Sequence, residues 1–289
     1  MSAPSRHIQI KHICEDAGGI HMVRPYVKIT IDRSLKIAAL MLAFSCAAAA
    51  QNLQPFAATL AEIQNAIAKA DGLDGYYSTT YRPSEMRYWA QIPQWMQQDA
   101  GTRDSRLRTR ETRILDIGCG YGTLLSLATQ IYANARGSCM DMTEYIKPIV
   151  RSKYSLEFLE GDVELDPIPG GPYDVMILTE VIEHFNFYPL PTVQKMHHAL
   201  APGGVLFLST PDASRWGRLY DFHKWLKDFP MPPLLGSGDP RPEIKDEHMW
   251  MYNKGELTGA LQDAGFRIVK LAYSPGVRGR HFNIWAVRK

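Results

Sequence analysis

The sequence predicts an α/β fold: a mostly parallel sheet with helices on both faces, preceded by a helical extension and carrying one long insertion before the last helix. Three observations lead there. Residues 113–211 alternate short apolar runs with stretches of helical periodicity, the rhythm of βαβ units whose strands lie parallel. Inside that stretch the apolar run Ile114–Ile117 enters a glycine turn, Gly118 to Gly122. A helical segment, Thr123 to Ala133, then leads to a second short strand ending at Asp141. Finally, 45% hydrophobic and 21% charged residues over 289 positions is a globular composition, sufficient for one large domain or two small ones. The formal charge of +2 makes no argument for nucleic acid or membrane as a partner of the whole chain.

The elements follow in order. Residues 1–34 have no clear period and read as poorly ordered. Arg33 and Lys36 then precede Ile37 to Ala50, a run without charge or proline, and Ala48-Ala49-Ala50 meets Gln51. A basic start, a short apolar run and a small-residue cleavage site are the layout of a secretory signal. Export through 28–50, or membrane contact through 35–50, is one expectation. The run is shorter than the ~20 residues of a membrane span. The reading preferred here is an alanine-rich helix on an intact, cytoplasmic chain, with Met22 as an alternative start. Residues 1–52 therefore stand apart as a poorly ordered or signal-like segment.

Residues 53–111 read as a helical cap and linker. Leu53, Phe56, Leu60, Ile63 and Ile67 recur at helical spacing, and Asp71-Gly72-Leu73-Asp74-Gly75 stops that helix. Ser84 is placed as the N-cap of a second helix running through Met86, Trp89 and Trp95, with Glu85 in its first turn. Arg103, Arg106, Arg108, Arg110 and Arg113 form a solvated linker into the first strand; the sharper alternative is a basic edge for an anionic substrate such as RNA. After the fifth strand, residues 212–247 break the rhythm. They carry Trp216, Tyr220, Phe222, Trp225 and Phe229 and then a series of prolines, and are expected to form a lid over the strand ends.

Four cysteines, Cys14, Cys46, Cys119 and Cys139, have no metal-like spacing. Cys119 and Cys139 are expected to be small core hydrophobes and not disulfide partners, in keeping with a reducing compartment. Among the histidines, His197 and His198 fall on a helix surface, His223 in the insertion has a modest claim as a base, and His281 is expected to be structural.

The glycine turn carries the functional signal. Glycines at 118, 120 and 122 let the backbone turn sharply and approach a ligand. Asp141, 19 residues after Gly122, sits where an acid accepts both hydroxyls of a ribose. The pattern departs from the dinucleotide fingerprint: the third glycine comes one residue early, and Asp116 two residues before Gly118 suits an ammonium group better than a pyrophosphate. The segment resembles the first motif of class I S-adenosylmethionine (SAM)-dependent methyltransferases. Phe158 to Val163, Tyr173 to His184, Leu200 to Pro211, Ala264-Gly265-Phe266 and Phe282 to Val287 resemble later motifs of that family in the same order.

The resemblance covers 112–289 and implies a Rossmann-like, seven-stranded sheet that binds SAM. By it, the cofactor residues are Asp116, Gly118, Cys119, Gly120, Gly122, Asp141, Met142, Asp162, Val163 and Thr179. Arg82 or Arg87 would face the methionyl carboxylate, with a solvated role as the alternative. The catalytic group is Glu180, Glu183, His184 and the downstream His248. Their spacing within a turn favours one face, where carboxylates and imidazole can act as a base or hold a divalent ion; no metal ligand is assigned. The Glu180–His184 run resembles both ubiquinone-biosynthesis O-methyltransferases and small-RNA 2′-O-methyltransferases. The leading expectation is methyl transfer to oxygen of a small molecule. The alternatives are an RNA 2′-O-methyltransferase with a metal site and a non-catalytic SAM-binding domain.

Overall fold

The computed structural model describes residues 53–103, 110–216, 224–236, 238–275 and 280–289. The chain divides into two units, Met1–Leu40 and Met41–Lys289, and every described residue belongs to the second. The expectations for residues 1–52, for Arg106 and Arg108, and for Tyr220, Phe222 and His223 lie outside the described residues.

The N-terminal helices form where the apolar period predicted, with two differences. Helix α1 (Ala57–Asp71) buries Leu60, Ile63 and Ile67 and stops at Gly72. Ser84 is not an N-cap. A π-helical turn, Tyr77–Tyr81, runs directly into α2 (Arg82–Tyr88), so Ser84 lies inside the helix and its hydroxyl donates back to the Tyr81 carbonyl at 3.0 Å. The helix expected to run on through Trp95 breaks at Trp89 and restarts as α3 (Ile92–Thr102). Pro93 has no N–H to continue the ladder and suits a first turn. Trp89 and Trp95 are nevertheless both buried.

Beyond short helical turns, the remaining elements are β1 (Thr112–Ile117), α4 (Thr123–Ile131), β2 (Ala135–Asp141), α5 (Pro148–Lys153), β3 (Leu156–Glu160), β4 (Tyr173–Thr179), α6 (Pro189–Ala199), β5 (Leu200–Pro211), α7 (Lys254–Asp263), β6 (Phe266–Pro275) and β7 (Arg280–Arg288). They build one seven-stranded sheet in the order β3-β2-β1-β4-β5-β7-β6. Strands β1 to β5 pair in parallel, and β7 lies antiparallel between β5 and β6. The predicted mostly parallel α/β architecture is thus the observed one.

Strand side chains alternate between two cores, as a period of two requires. Val175 and Ile177 of β4 join Leu60, Ile63 and Leu125 on one face; Met176 and Leu178 join Val193, Leu257 and Leu261 on the other. Both faces are covered, which is why the strands read as continuous apolar runs. The sheet order reverses at β1, whose neighbours are β2 and β4. Ligands of open α/β sheets bind in the crevice at the carboxyl ends of such strands.

Three arginines of the linker are spent on the fold. Arg103 pairs with Asp99 at 2.8 Å, and Arg110 donates to both carboxylate oxygens of Asp174. Arg113 donates to the Pro172 and Gly170 carbonyls and lies over the Tyr173 ring. No helix among the described residues is long and apolar enough to cross a membrane.

One expectation is overturned. Cys119 and Cys139 are joined in a disulfide, with Cα atoms 5.6 Å apart, inside the range a bridge requires. Parallel register places Cys139 opposite Asp116, and the glycine turn folds the chain leaving β1 back over β2. The proximity comes from strand pairing, which spacing along the chain does not reveal. The argument from free thiols to a reducing compartment does not stand.

Candidate functional site

The glycine turn is built by contacts that exclude side chains. Gly118 has φ +67°, and a Cβ there would lie 2.4 Å from Val181 Cγ2. The residue after the β4 turn is therefore pressed against the residue after β1. Gly122, at φ +78°, is the left-handed N-terminal neighbour of α4. Gly118 N donates to the Met140 carbonyl at 2.8 Å, tying the turn to β2. Asp141, at the tip of β2, accepts from Gly120 N and Thr143 N, each at 3.4 Å.

A cavity opens at this edge. Of the sequence-predicted residues, Gly118, Asp141, Met142, Asp162, Val163 and His184 line it. Asp116 stands behind the turn, buried, with Oδ1 lacking a hydrogen-bond partner among the described residues. Burial, with Asp141 adding to it, holds its carboxyl well above the ordinary aspartate range. Burial also lifts Asp141, against the opposing effect of its backbone donors. Gly120, Gly122, Thr179 and Cys119 surround the turn without lining the cavity, and Cys119 is committed to its disulfide.

Unanticipated residues close the cavity. Glu164, Ile244, Lys245 and Asp246 line it as well. The segment at 244–246 is strapped down by Asn186, whose amide donates to the Lys245 carbonyl and accepts from Lys245 N, both at 2.9 Å. Arg241 adds an ion pair to Asp166 at 2.5 Å. The far end of the insertion thus borders the residues expected around adenosine. Glu164 accepts from the backbone of Asn186 at 2.8 Å and Phe187 at 2.9 Å, and burial pushes its carboxyl up to about 7. Asp246 lies two residues before His248, and nothing in its spacing marked it as part of the site.

The four expected catalytic residues do not form one group. Glu183, His184 and His248 each bring one ligand atom within 4.8 Å of the others. Glu183 is fully buried, accepts from Thr210 Oγ1 at 2.8 Å, and is pushed up to about 7 by burial and by Glu180. Its carbonyl accepts from Met249 N and Trp250 N, which brings His248 beside His184. The two imidazoles meet edge to face at 4.8 Å. Burial pulls His184 down, but Asp246 Oδ1 at 3.3 Å and the two glutamates outweigh it and leave it raised. His248 is pulled down to about 4 by burial and by His184. Glu180 points elsewhere, to Ser209 and His281.

A family model described as a methyltransferase domain matches residues 83–271. A demethylspheroidene O-methyltransferase of Rhodobacter capsulatus is 33% identical over 98 residues, 34% of this chain and 25% of that protein. A ubiquinone biosynthesis O-methyltransferase of Pseudomonas aeruginosa is 33% identical over 118 residues, 37% of this chain and 47% of that protein. The chain spans half or less of the length of these curated relatives. Among solved structures, a SAM-dependent methyltransferase from Aquifex aeolicus has a TM-score of 0.47 at 15% identity, covering 78% of this chain and 98% of that one.

Proposed function

Because the chain belongs to the methyltransferase-domain family, we propose that it transfers a methyl group from SAM to a small-molecule acceptor, at oxygen. The observation that carries the reading is the cavity at the sheet's switch point, bordered by Gly118, Asp141, Asp162 and Val163. The residues fit the cofactor on physical grounds. The buried Asp116 carboxyl, whose Oδ1 has no hydrogen-bond partner among the described residues, offers a site for an ammonium group. The turn at Gly118 has no room for a side chain, and so keeps its backbone open to a ligand. Asp141 accepts ribose hydroxyls, Asp162 receives the adenine amino group, and Val163 packs on the ring. When bound, SAM supplies an activated methyl carbon and a good leaving group.

The chain's own task is to hold an acceptor in line, keep water out and receive its proton. Glu180 follows β4 directly, next to the Val181 that presses on Gly118 of the glycine turn, and serves the acceptor. The O-methyltransferase relatives favour oxygen as the acceptor atom. Residues 112–289 would constitute the catalytic domain, 53–111 its helical cap, and 212–247 its lid.

Titration calorimetry with SAM, followed by incubation with methyl-labelled SAM and a fractionated cell extract, tests the reading. Binding in the micromolar range and label in a small-molecule fraction are expected. No heat of binding removes the cofactor from the site, and label confined to RNA replaces the acceptor class.

A second reading is favoured by the convergence of Glu183, His184 and His248: a divalent cation held there would bind the acceptor oxygen. Full transfer after exhaustive chelation eliminates it.

A further inference from the structure

Glu180 and Glu183 lie one turn apart, yet their carboxylates go to different neighbours. Glu183 turns to Thr210 and the two imidazoles of His184 and His248. Glu180 Oε1 accepts from Ser209 Oγ at 2.7 Å, and Oε2 lies 2.7 Å from His281 Nδ1. The backbone explains the parting. Glu180 has φ +57°, a left-handed conformation that is disfavoured for a residue with a Cβ. Its N–H is held by the Ser209 carbonyl at 2.9 Å. Strain of this kind persists only where the surroundings over-determine it.

His281 is clamped from several sides. It is the second residue of β7, paired with Pro211 of β5 and Ser274 of β6. The Tyr88 ring packs 4.8 Å from the imidazole. Tyr88 is itself bolted in place, its carbonyl accepting from Ser274 Oγ at 2.7 Å and Asn283 Nδ2 at 2.8 Å. The His281 side chain is 1% exposed and the Glu180 side chain 20%. Glu180 is therefore the end of the pair that a solute can reach, and Val181 beside it presses on Gly118.

We propose that Glu180 is the base that takes the acceptor's proton and that His281 is the residue that positions it. The inference rests on the methyltransferase reading. The acceptor's lone pair forms the new bond to the methyl carbon. The carbon–sulfur bond breaks with its electron pair kept by sulfur. The acceptor's proton passes to the Glu180 carboxylate and from there to water. His281 holds Oε2 so that the carboxylate faces the acceptor and does not swing into the Glu183 group.

The test uses methyl-tritiated SAM, a deproteinised extract of the producing cells as acceptor pool, and the full chain. Rates at saturating SAM, SAM affinity by calorimetry and Tm are measured for each variant. Glu180→Gln keeps the Ser209 contact and should slow labelling about a hundredfold or more, the usual contribution of a general base. His281→Asn returns an amide donor near the position of Nδ1 and should keep most of the rate. His281→Gln fills the volume without that donor and should slow labelling about tenfold with SAM affinity within about twofold; a loss confined to turnover is what a packing role does not produce. The double variant Glu180→Gln/His281→Gln should be no slower than Glu180→Gln alone, because the histidine acts through the glutamate. Equal rates for His281→Asn and His281→Gln, or multiplied losses in the double variant, overturn the positioning role. A wild-type chain that binds SAM but labels nothing removes the methyltransferase reading and this inference with it. Labelling that ignores these variants removes this inference alone.

Discussion

The Tyr77 hydroxyl donates to Glu85 Oε1 at 2.8 Å, in a fully buried contact between the turn before α2 and the helix itself. The same hydroxyl lies 3.3 Å from Thr123 Oγ1, the first residue of α4 after the glycine turn. Gln64 of α1 gives Glu85 a second donor at 2.9 Å. One buried carboxylate thus joins three N-terminal elements to the helix that backs the glycine turn. Tyr77→Phe leaves Glu85 short of a donor in a place water does not reach, which costs about 1–3 kcal/mol. Urea denaturation should show that loss, and a neighbouring Thr123→Ser control should not.

Glu164 makes stability depend on pH. Its carboxyl is raised by burial from 4.5 to about 7. The folded state therefore binds a proton that the unfolded state releases, and this contribution is complete below pH 4.5. It is lost as pH rises through about 7, so stability should fall across that window, by up to about 3 kcal/mol from this group. Glu164→Gln cannot release a proton there. Its denaturation free energy, measured at several pH values, should be flatter between pH 4.5 and 7 than that of the unaltered chain. An unchanged slope assigns the dependence elsewhere.

Gly118→Ala combines two penalties. The φ of +67° disfavours any Cβ, and the added carbon would sit 2.4 Å from Val181 Cγ2. The expected cost is about 2 kcal/mol or more, with SAM affinity lowered because the turn must move. Gly118→Ala/Val181→Ala relieves the clash but not the dihedral, so it should recover part of the stability. If the single variant melts at the wild-type temperature, the close packing of the β4 turn on the glycine turn is wrong.

The Cys119–Cys139 bridge closes a loop of 20 residues. Chain-entropy arguments give such a bridge about 3 kcal/mol. Dithiothreitol, or the double change Cys119→Ala/Cys139→Ala, should therefore lower Tm by several degrees and expose two thiols in the unaltered chain to alkylation. Two alkylatable thiols at these positions before reduction would show that the bridge is absent in solution.

What could be read from the sequence was what local chemistry determines. The strand runs around Ile114 and Val175 are apolar because both sheet faces are covered, and Gly118 and Gly122 announce left-handed turns whatever surrounds them. The acid at Asp141 follows from the strand that ends there. Features set by distant pairing were not legible. Cys119 meets Cys139 only through parallel register, and Lys245 reaches the cavity through Asn186, 59 positions away. The separation of Glu180 from Glu183 depends on one backbone dihedral, and helical spacing alone gave the opposite expectation.

The insertion divides into a part that packs and a part that faces outward, and the two should respond differently to mutation. Phe229 is buried, meets Trp250 edge to face at 5.7 Å, and belongs to the core beneath the sheet. Pro230 beside it accepts a backbone bond from Tyr188 at 2.8 Å. Trp225, four positions earlier, is 54% exposed. Phe229→Ala removes a large core ring and should cost about 3–5 kcal/mol, with SAM binding weakened as the anchored segment loosens. Trp225→Ala leaves the core intact and should shift stability by no more than about 0.5 kcal/mol. If 212–247 is a lid, Trp225→Ala should still slow acceptor turnover, because its exposed ring would then be available to enclose an acceptor and exclude water. SAM affinity from calorimetry and labelling rates from methyl-tritiated SAM separate these effects. A Trp225→Ala chain with wild-type turnover removes this residue from the lid, and a Phe229→Ala chain of wild-type stability contradicts the anchoring of the insertion in the core.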